Sequence, residues 1–263
     1  MQDYREDIER AFDGMNRWNI FYSVFIFPIG VGFFLFAGYI VPGLGKAAVQ
    51  SNRLFQNNLI DIEYLLGFSG NMLGLFFICC WIFYFCILYI SKRNRIKAYL
   101  YYQIMFATIS FVSLYSIFYG FQFFVPFLLI RMLNWLLLIG SVLVAIYKFM
   151  KNEKIPTFQF FQSQSKAITN IFLLIWGISA IFKVFSTGYD QLLAKILISV
   201  IPLAPPMLAL FISSILLAQL QFLQKFVRIV KNQEHYRKEF GYSIEDWYGK
   251  KSKQYKKWLK ENI

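Results

Sequence analysis

Arg131 is the residue on which chemistry could be built. From Tyr64 to Asn152 the chain contains no Asp or Glu, yet Arg131 stands inside that stretch, among three apolar runs each long enough to cross a bilayer. A guanidinium carried into hydrocarbon is costly, and a chain that carries one usually supplies a carboxylate nearby. None is available locally, so the expected partner lies outside the stretch, on another segment or another chain. Asn134 follows three residues on and shares the same helix face. Three roles fit this pair: an anion or proton pathway, a contact to a distant carboxylate, or an anchor to lipid phosphate. Against them stands snorkelling, in which the long stem lifts the charge toward the headgroups.

Other candidates are weaker. Gln103, Ser110, Ser113 and Ser116 form a polar row on one predicted span; such groups line pores, but more often they hydrogen-bond between helices. Gly67, Gly70 and Gly74 permit close helix approach on the span before it. Pro202, Pro205 and Pro206 mark a helix break, and broken helices expose the carbonyls that transporters use near binding sites. Beyond the last apolar run, Trp247, Lys250, Lys251, Lys253, Lys256, Lys257 and Trp258 form a basic aromatic surface. Directly after a membrane span, its expected counterpart is anionic lipid headgroups or an acidic protein, ahead of nucleic acid.

Several chemistries have no residues to perform them. His235 is the sole histidine, which removes bis-histidine haem ligation within this chain. Cys79, Cys80 and Cys86 all fall in one apolar run, where they act as small hydrophobes, and no second ligand cluster offers a zinc site. No Gly-rich phosphate loop occurs, and the acid and histidine pairs of intramembrane proteolysis are missing. The sequence therefore predicts no catalytic residue, no metal and no cofactor.

The elements that must position these residues follow from composition. Hydrophobic residues make up 58% of the 263-residue chain, aromatics 21% and charged residues 16%, with a net charge of +13. Soluble domains carry about a quarter charged residues; 31 Phe and 17 Tyr suit lipid-facing and interfacial positions instead. Six spans fit, at about 20 residues each: Ile20–Val41, Leu65–Ile90, Ala98–Tyr119, Phe123–Tyr147, Ile168–Phe185 and Met207–Val227. With both termini inside, 22 of the 27 Lys and Arg lie in inside segments, and only Lys46 and Arg53 lie outside, as the positive-inside rule requires. Leu192–Ile201 is apolar but short, and with the prolines after it reads as a re-entrant or interfacial helix.

The expected fold is thus an all-α integral membrane protein of six transmembrane helices, N-in and C-in. A polar N-terminal helix spans 1–18, a membrane domain 19–227, and a basic helical tail 228–263. In the tail, Ser243 and Asp246 resemble a capping box, and Ile244, Trp247, Tyr255, Trp258 and Leu259 are expected to share a face. A bacterial plasma membrane or a mitochondrial inner membrane would suit the protein.

Two family resemblances bear on function. Arg131-Met-Leu-Asn134 resembles the membrane Arg-x-x-x-Asn of the proton-channel subunit of rotary ATP synthases, with one residue fewer between the pair. That resemblance implies an Arg meeting a carboxylate on a neighbouring chain. In size, span number, N-terminal helix and re-entrant element the chain also resembles the permease half of ATP-driven exporters, although the loop Ser91–Lys97 is short for their coupling segment. The expected role is a non-enzymatic membrane subunit, channel-like, permease or scaffold, working with other subunits or as a homo-oligomer. A proton-pathway or accessory subunit of a respiratory or ATP-synthase-type complex is the alternative, and a lipid-modifying enzyme is the alternative of a different class.

Overall fold

Backbone groups in hydrocarbon have no water to bind, so long apolar runs close their hydrogen bonds internally by coiling. In the computed structural model every regular element among the described residues is helical. Those residues are 2–16, 22–51, 63, 65–125, 128–151 and 203–262, with single positions at 170, 177 and 181. The helices are α1 (Gln2–Asn16), α2 (Phe27–Ser51, entered through a π-helical turn at Tyr22–Ile26), α3 (Gly70–Ser91), α4 (Arg95–Gln122), α5 (Leu128–Met150), α6 (Ala204–Lys231), α7 (Gln233–Glu239), α8 (Ile244–Tyr248) and α9 (Lys253–Asn262).

Five of these are long and apolar enough to cross a membrane: Val24–Ala47, Gly70–Ser91, Arg95–Gln122, Leu128–Tyr147 and Ala204–Lys231. The protein is accordingly read as an integral membrane protein. The expected fifth span, Ile168–Phe185, falls mostly outside the described residues, as do the short apolar helix Leu192–Ile201 and Pro202. The second expected span starts later than its hydropathy indicates. Leu66 N–H bonds back to Glu63 O at 3.3 Å, so Leu66–Ser69 is a turn and bend before the helix begins at Gly70. Pro205 and Pro206 occupy the first turn of α6, where a missing N–H costs nothing and the fixed φ favours initiation; the chain before 203, where an interrupted helix would show, lies outside the described residues.

The chain forms two compact units, and α2, α4 and α6 contribute to both. One unit comprises residues 1–34, 71–110 and 219–263. Here α1 buries Ile8, Ala11 and Phe12, the i, i+3, i+4 stripe of an amphipathic helix. Its other side carries the exposed pairs Arg5–Glu9 and Arg10–Glu6. Phe12 packs on Tyr242 and edge-on to Trp247, Tyr4 stacks on Tyr236, and Lys225 reaches the buried Asp7 at 3.6 Å. Gln233 joins three elements, accepting from Asn94 Nδ2 at 2.8 Å and from Trp247 Nε1 at 3.3 Å. Asn94 also caps α4, its Oδ1 receiving Lys97 N–H at 2.9 Å.

The other unit comprises residues 35–70 and 111–218. In it the backbones of α2 and α4 cross closely. A Cβ on Gly120 would lie 2.6 Å from Pro42 N, and one on Gly45 would lie 2.7 Å from Gly120 O. Only glycine lets the two backbones meet so closely. Phe118, Leu138, Ala209 and Ile212 form an adjoining apolar core from α4, α5 and α6.

Candidate functional site

Arg131 lies on the first turn of α5 and is 1% exposed. It does not lack a carboxylate in its own chain. Glu63 stands immediately before the acid-free stretch and receives the guanidinium in fork geometry. Arg131 Nε lies 3.0 Å from Glu63 Oε1 and 3.3 Å from Oε2, and Nη2 lies 3.1 Å from Oε2. Nη1 donates to Val125 O at 3.0 Å. That carbonyl is held in the turn between α4 and α5, where Val125 N–H bonds to Gln122 O at 3.1 Å.

One helical turn along, Asn134 is fully buried and donates from Nδ2 to Gln122 Oε1 at 3.3 Å. Glu63, Gln122, Arg131 and Asn134 therefore form one buried polar cluster tying the α4–α5 hairpin to the segment before α3. The ion pair is neutral as a unit, and its fork geometry makes burial tolerable. The cluster keeps unused hydrogen-bonding capacity: Gln122 Nε2, Asn134 Oδ1 and the neighbouring Trp135 Nε1 are buried without a hydrogen-bond partner among the described residues.

Glu63 is also part of the wall of a cavity of about 600 Å³. Among the described residues the rest of that wall is apolar or aromatic, from Leu66, from Phe111 and Tyr115 on α4, and from a stripe on α5 running from Leu128 to Leu143. Tyr115 donates its hydroxyl to Leu66 O at 2.8 Å beside it.

The remaining expected residues separate. Ser113 and Ser116 are buried where Gly38 of α2 meets α4, and Ser116 donates to Val112 O at 2.9 Å, so both serve helix contact. Gln103 and Ser110 are half-buried. A methyl on Gly67 would overlap the Tyr119 ring, and one on Gly70 would lie 2.8 Å from Tyr39, whereas Gly74 faces open space. Gly38, Gly45 and Gly120 give a further close approach, where α2 crosses α4.

The tail corrects the expected surface. Trp247 is fully buried against Phe12 and Tyr242 and cannot meet lipid or a partner. Gly249, at φ +82°, ends α8 and turns the chain, so Trp247 and Trp258 do not share a helix. A Cβ on Gly249 would lie 3.0 Å from Lys92 O. The Ser243 cap forms as expected, its Oγ accepting Asp246 N–H at 3.0 Å. Lys251, Lys253 and Lys256 are exposed. Lys250 and Lys257 are exposed too, and pair with Glu245 and Glu261 at 3.2 and 3.7 Å. Trp258 and Leu259 are exposed at 42% and 38%.

At the same end, Tyr248 donates to Glu234 at 2.8 Å. Burial, that hydrogen bond and the adjacent carboxylate push the phenol up. Burial would raise Glu234 as well, but hydrogen bonds from Tyr248 and Arg237 and the charges of Arg237 and Lys238 outweigh it and hold the carboxyl low. Among the described residues no group of three or more His, Cys, Asp or Glu side chains is placed to hold a metal ion. No family model, curated protein or solved structure matches the chain.

Sequence reasoning missed Glu63 and Gln122. The available signal for Glu63 was depth: an acid at the edge of one apolar run and an arginine near the same edge of another lie at one level of the membrane.

Proposed function

We propose that this protein is a non-enzymatic membrane subunit of a transport-type assembly, with six spans and both termini inside. The observation that carries the transport reading is the buried cluster of Glu63, Gln122, Arg131 and Asn134 forming part of an apolar cavity's surroundings through Glu63. Polar and ionisable groups at membrane depth mark pathways and binding sites. Polar atoms left with spare bonding capacity fit a ligand or water better than a closed structural pair.

The topology is supported by parity. Contacts join α1 to α6 and α8, and Asn94 beside α4 to Gln233, which supports putting both chain ends and the α3–α4 turn on one side. Starting from α1, the spans α2, α3, α4 and α5 return the chain to that side at Met150. With α6 also ending there, the proposed topology would call for an odd number of crossings between Met150 and Ala204, in keeping with the span expected from the sequence at Ile168–Phe185. The Lys and Arg distribution makes the shared side the inner one. On it, α9 would offer exposed lysines, Trp258 and Leu259 to anionic headgroups.

The proton-channel alternative loses its motive, since Arg131 finds its carboxylate within the chain. Purification in mild detergent followed by reconstitution tests the reading. Co-purification with an energy-supplying subunit, or solute flux through proteoliposomes, is the expected outcome. A monodisperse monomer that hydrolyses or modifies lipid would overturn it in favour of an enzyme.

A further inference from the structure

We propose that the cavity beside the Glu63–Arg131 pair binds a single acyl chain of a zwitterionic or uncharged bilayer lipid. This deepens the reading above and rests on it only in taking the cavity for a ligand site. The volume of about 600 Å³ falls within that of built ligand pockets. Its shape is given by its long wall. Leu128, Met132, Leu136, Ile139 and Leu143 recur on α5 at spacings of three and four, a continuous stripe on one helix face.

From Leu128 to Leu143 that stripe rises about 22 Å at 1.5 Å per residue. One leaflet supplies about 15 Å of hydrocarbon, half of about 30 Å, so the slot is long enough to take an extended acyl chain over the whole depth of a leaflet. A compact ligand of the same volume would leave part of its length bare. Water is a poor occupant, because an apolar slot lacks the two to four polar partners each molecule needs. Hydrocarbon is at hand: Leu129, Leu136 and Leu143 are 70%, 66% and 60% exposed along the same span, facing the medium around it.

The slot has a direction. Its polar end carries Glu63 beside Leu66 and Leu128, and its far end carries Phe111, Val142 and Leu143. That is the order of an amphiphile, head at Glu63 and tail toward Leu143. Glu63 forms the wall there while Arg131 is buried behind it, so the nearest charge to a headgroup is negative. A free fatty acid would set a second carboxylate against it, whereas a zwitterionic or neutral head carries no net charge to repel.

Native mass spectrometry of the full chain, released from nanodiscs of phosphatidylethanolamine doped with oleic acid, provides the test. One phospholipid retained per chain is expected. Ile139→Trp, which fills the slot from a half-exposed position, should lower its occupancy by roughly tenfold or more, the consequence of overpacking a site. Leu129→Trp, exposed and outside the slot, should leave it unchanged. In the unmodified protein, a phospholipid with a photoreactive acyl chain should crosslink within 132–143 in preference to other exposed span residues, whatever the fate of the variants. No retained lipid, equal loss in both variants, uniform crosslinking, or preferential retention of oleic acid would each overturn the proposal. Lost flux with retained lipid removes the transport reading alone; intact flux with no retained lipid removes this one alone.

Discussion

Replacing Glu63 with Leu strips Arg131 of its carboxylate and leaves a guanidinium 1% exposed to its surroundings. Breaking a buried pair from one side costs about 3–5 kcal/mol, because the surviving charge stays buried. The hydrogen bond from Nη1 to Val125 O remains, which puts Glu63→Leu near the lower bound, about 3 kcal/mol. Arg131→Leu buries the carboxylate instead, at a residue 5% exposed, and also removes the hydrogen bond from Nη1 to Val125 O, adding about 1 kcal/mol. The double variant Glu63→Leu/Arg131→Leu removes both charges, and paired apolar replacement is often near neutral. The expected order of damage is therefore Arg131→Leu, then Glu63→Leu, then the double. For a chain of this size each kcal/mol corresponds to about 2–4 °C in Tm, so Glu63→Leu should lower it by about 6–12 °C. Thermal unfolding in mild detergent, read as loss of the monodisperse peak, measures this directly. Single variants within about 2 °C of the parent, or a double variant less stable than both singles, would refute an ion pair internal to the chain.

Gly120→Ala should destabilise by about 1–3 kcal/mol in the same assay, because its Cβ meets backbone at Pro42 and Val41, while Gly74→Ala, facing open space, should not. Trp247→Ala should cost about 3–5 kcal/mol as loss of a fully buried indole; Trp258→Ala should leave Tm unchanged and weaken binding to phosphatidylserine vesicles in a sedimentation assay. The folded Tyr248 phenol lies above its unfolded value of about 10, so between those two values the folded protein holds a proton the unfolded chain has released. Its contribution is complete below pH about 10 and is lost as pH rises beyond it; alkaline loosening of the tail, followed by protease cleavage near α8, should therefore shift to higher pH in Tyr248→Phe.

The five described spans were legible because hydropathy acts through length, and Arg131 was legible because charge in hydrocarbon is rare. Its partner was not, since Glu63 sits two residues before the expected span Leu65–Ile90 and just outside the acid-free stretch. Gln122 escaped notice because a buried amide is meaningful only once Asn134 is known to face it. The crossing of α2 and α4 was hidden for a related reason. Gly38, Gly45 and Gly120 form no local motif on one helix, whereas Gly70-x-x-x-Gly74 does, and the pattern drew attention to a helix face with open space at Gly74. In the tail, the amphipathic arithmetic assumed one helix. Gly249, at positive φ, ends the helix that carries the buried Trp247, and residue spacing alone carries no record of such a turn.

The closeness of Glu63 to Arg131 also decides how the protein meets an energised membrane. A lone arginine carried across a potential of 100 mV would be subject to about 2.3 kcal/mol. With its counter-charge 3.0 Å away, the pair carries no net charge, and the field acts only across that separation. Against about 30 Å of hydrocarbon this is roughly one tenth of the drop, about 0.2 kcal/mol by the same relation, below thermal energy. The one arginine of the acid-free stretch that is buried in a span is thereby blind to voltage while its partner stays in place, and any electrical sensitivity must enter through other charges.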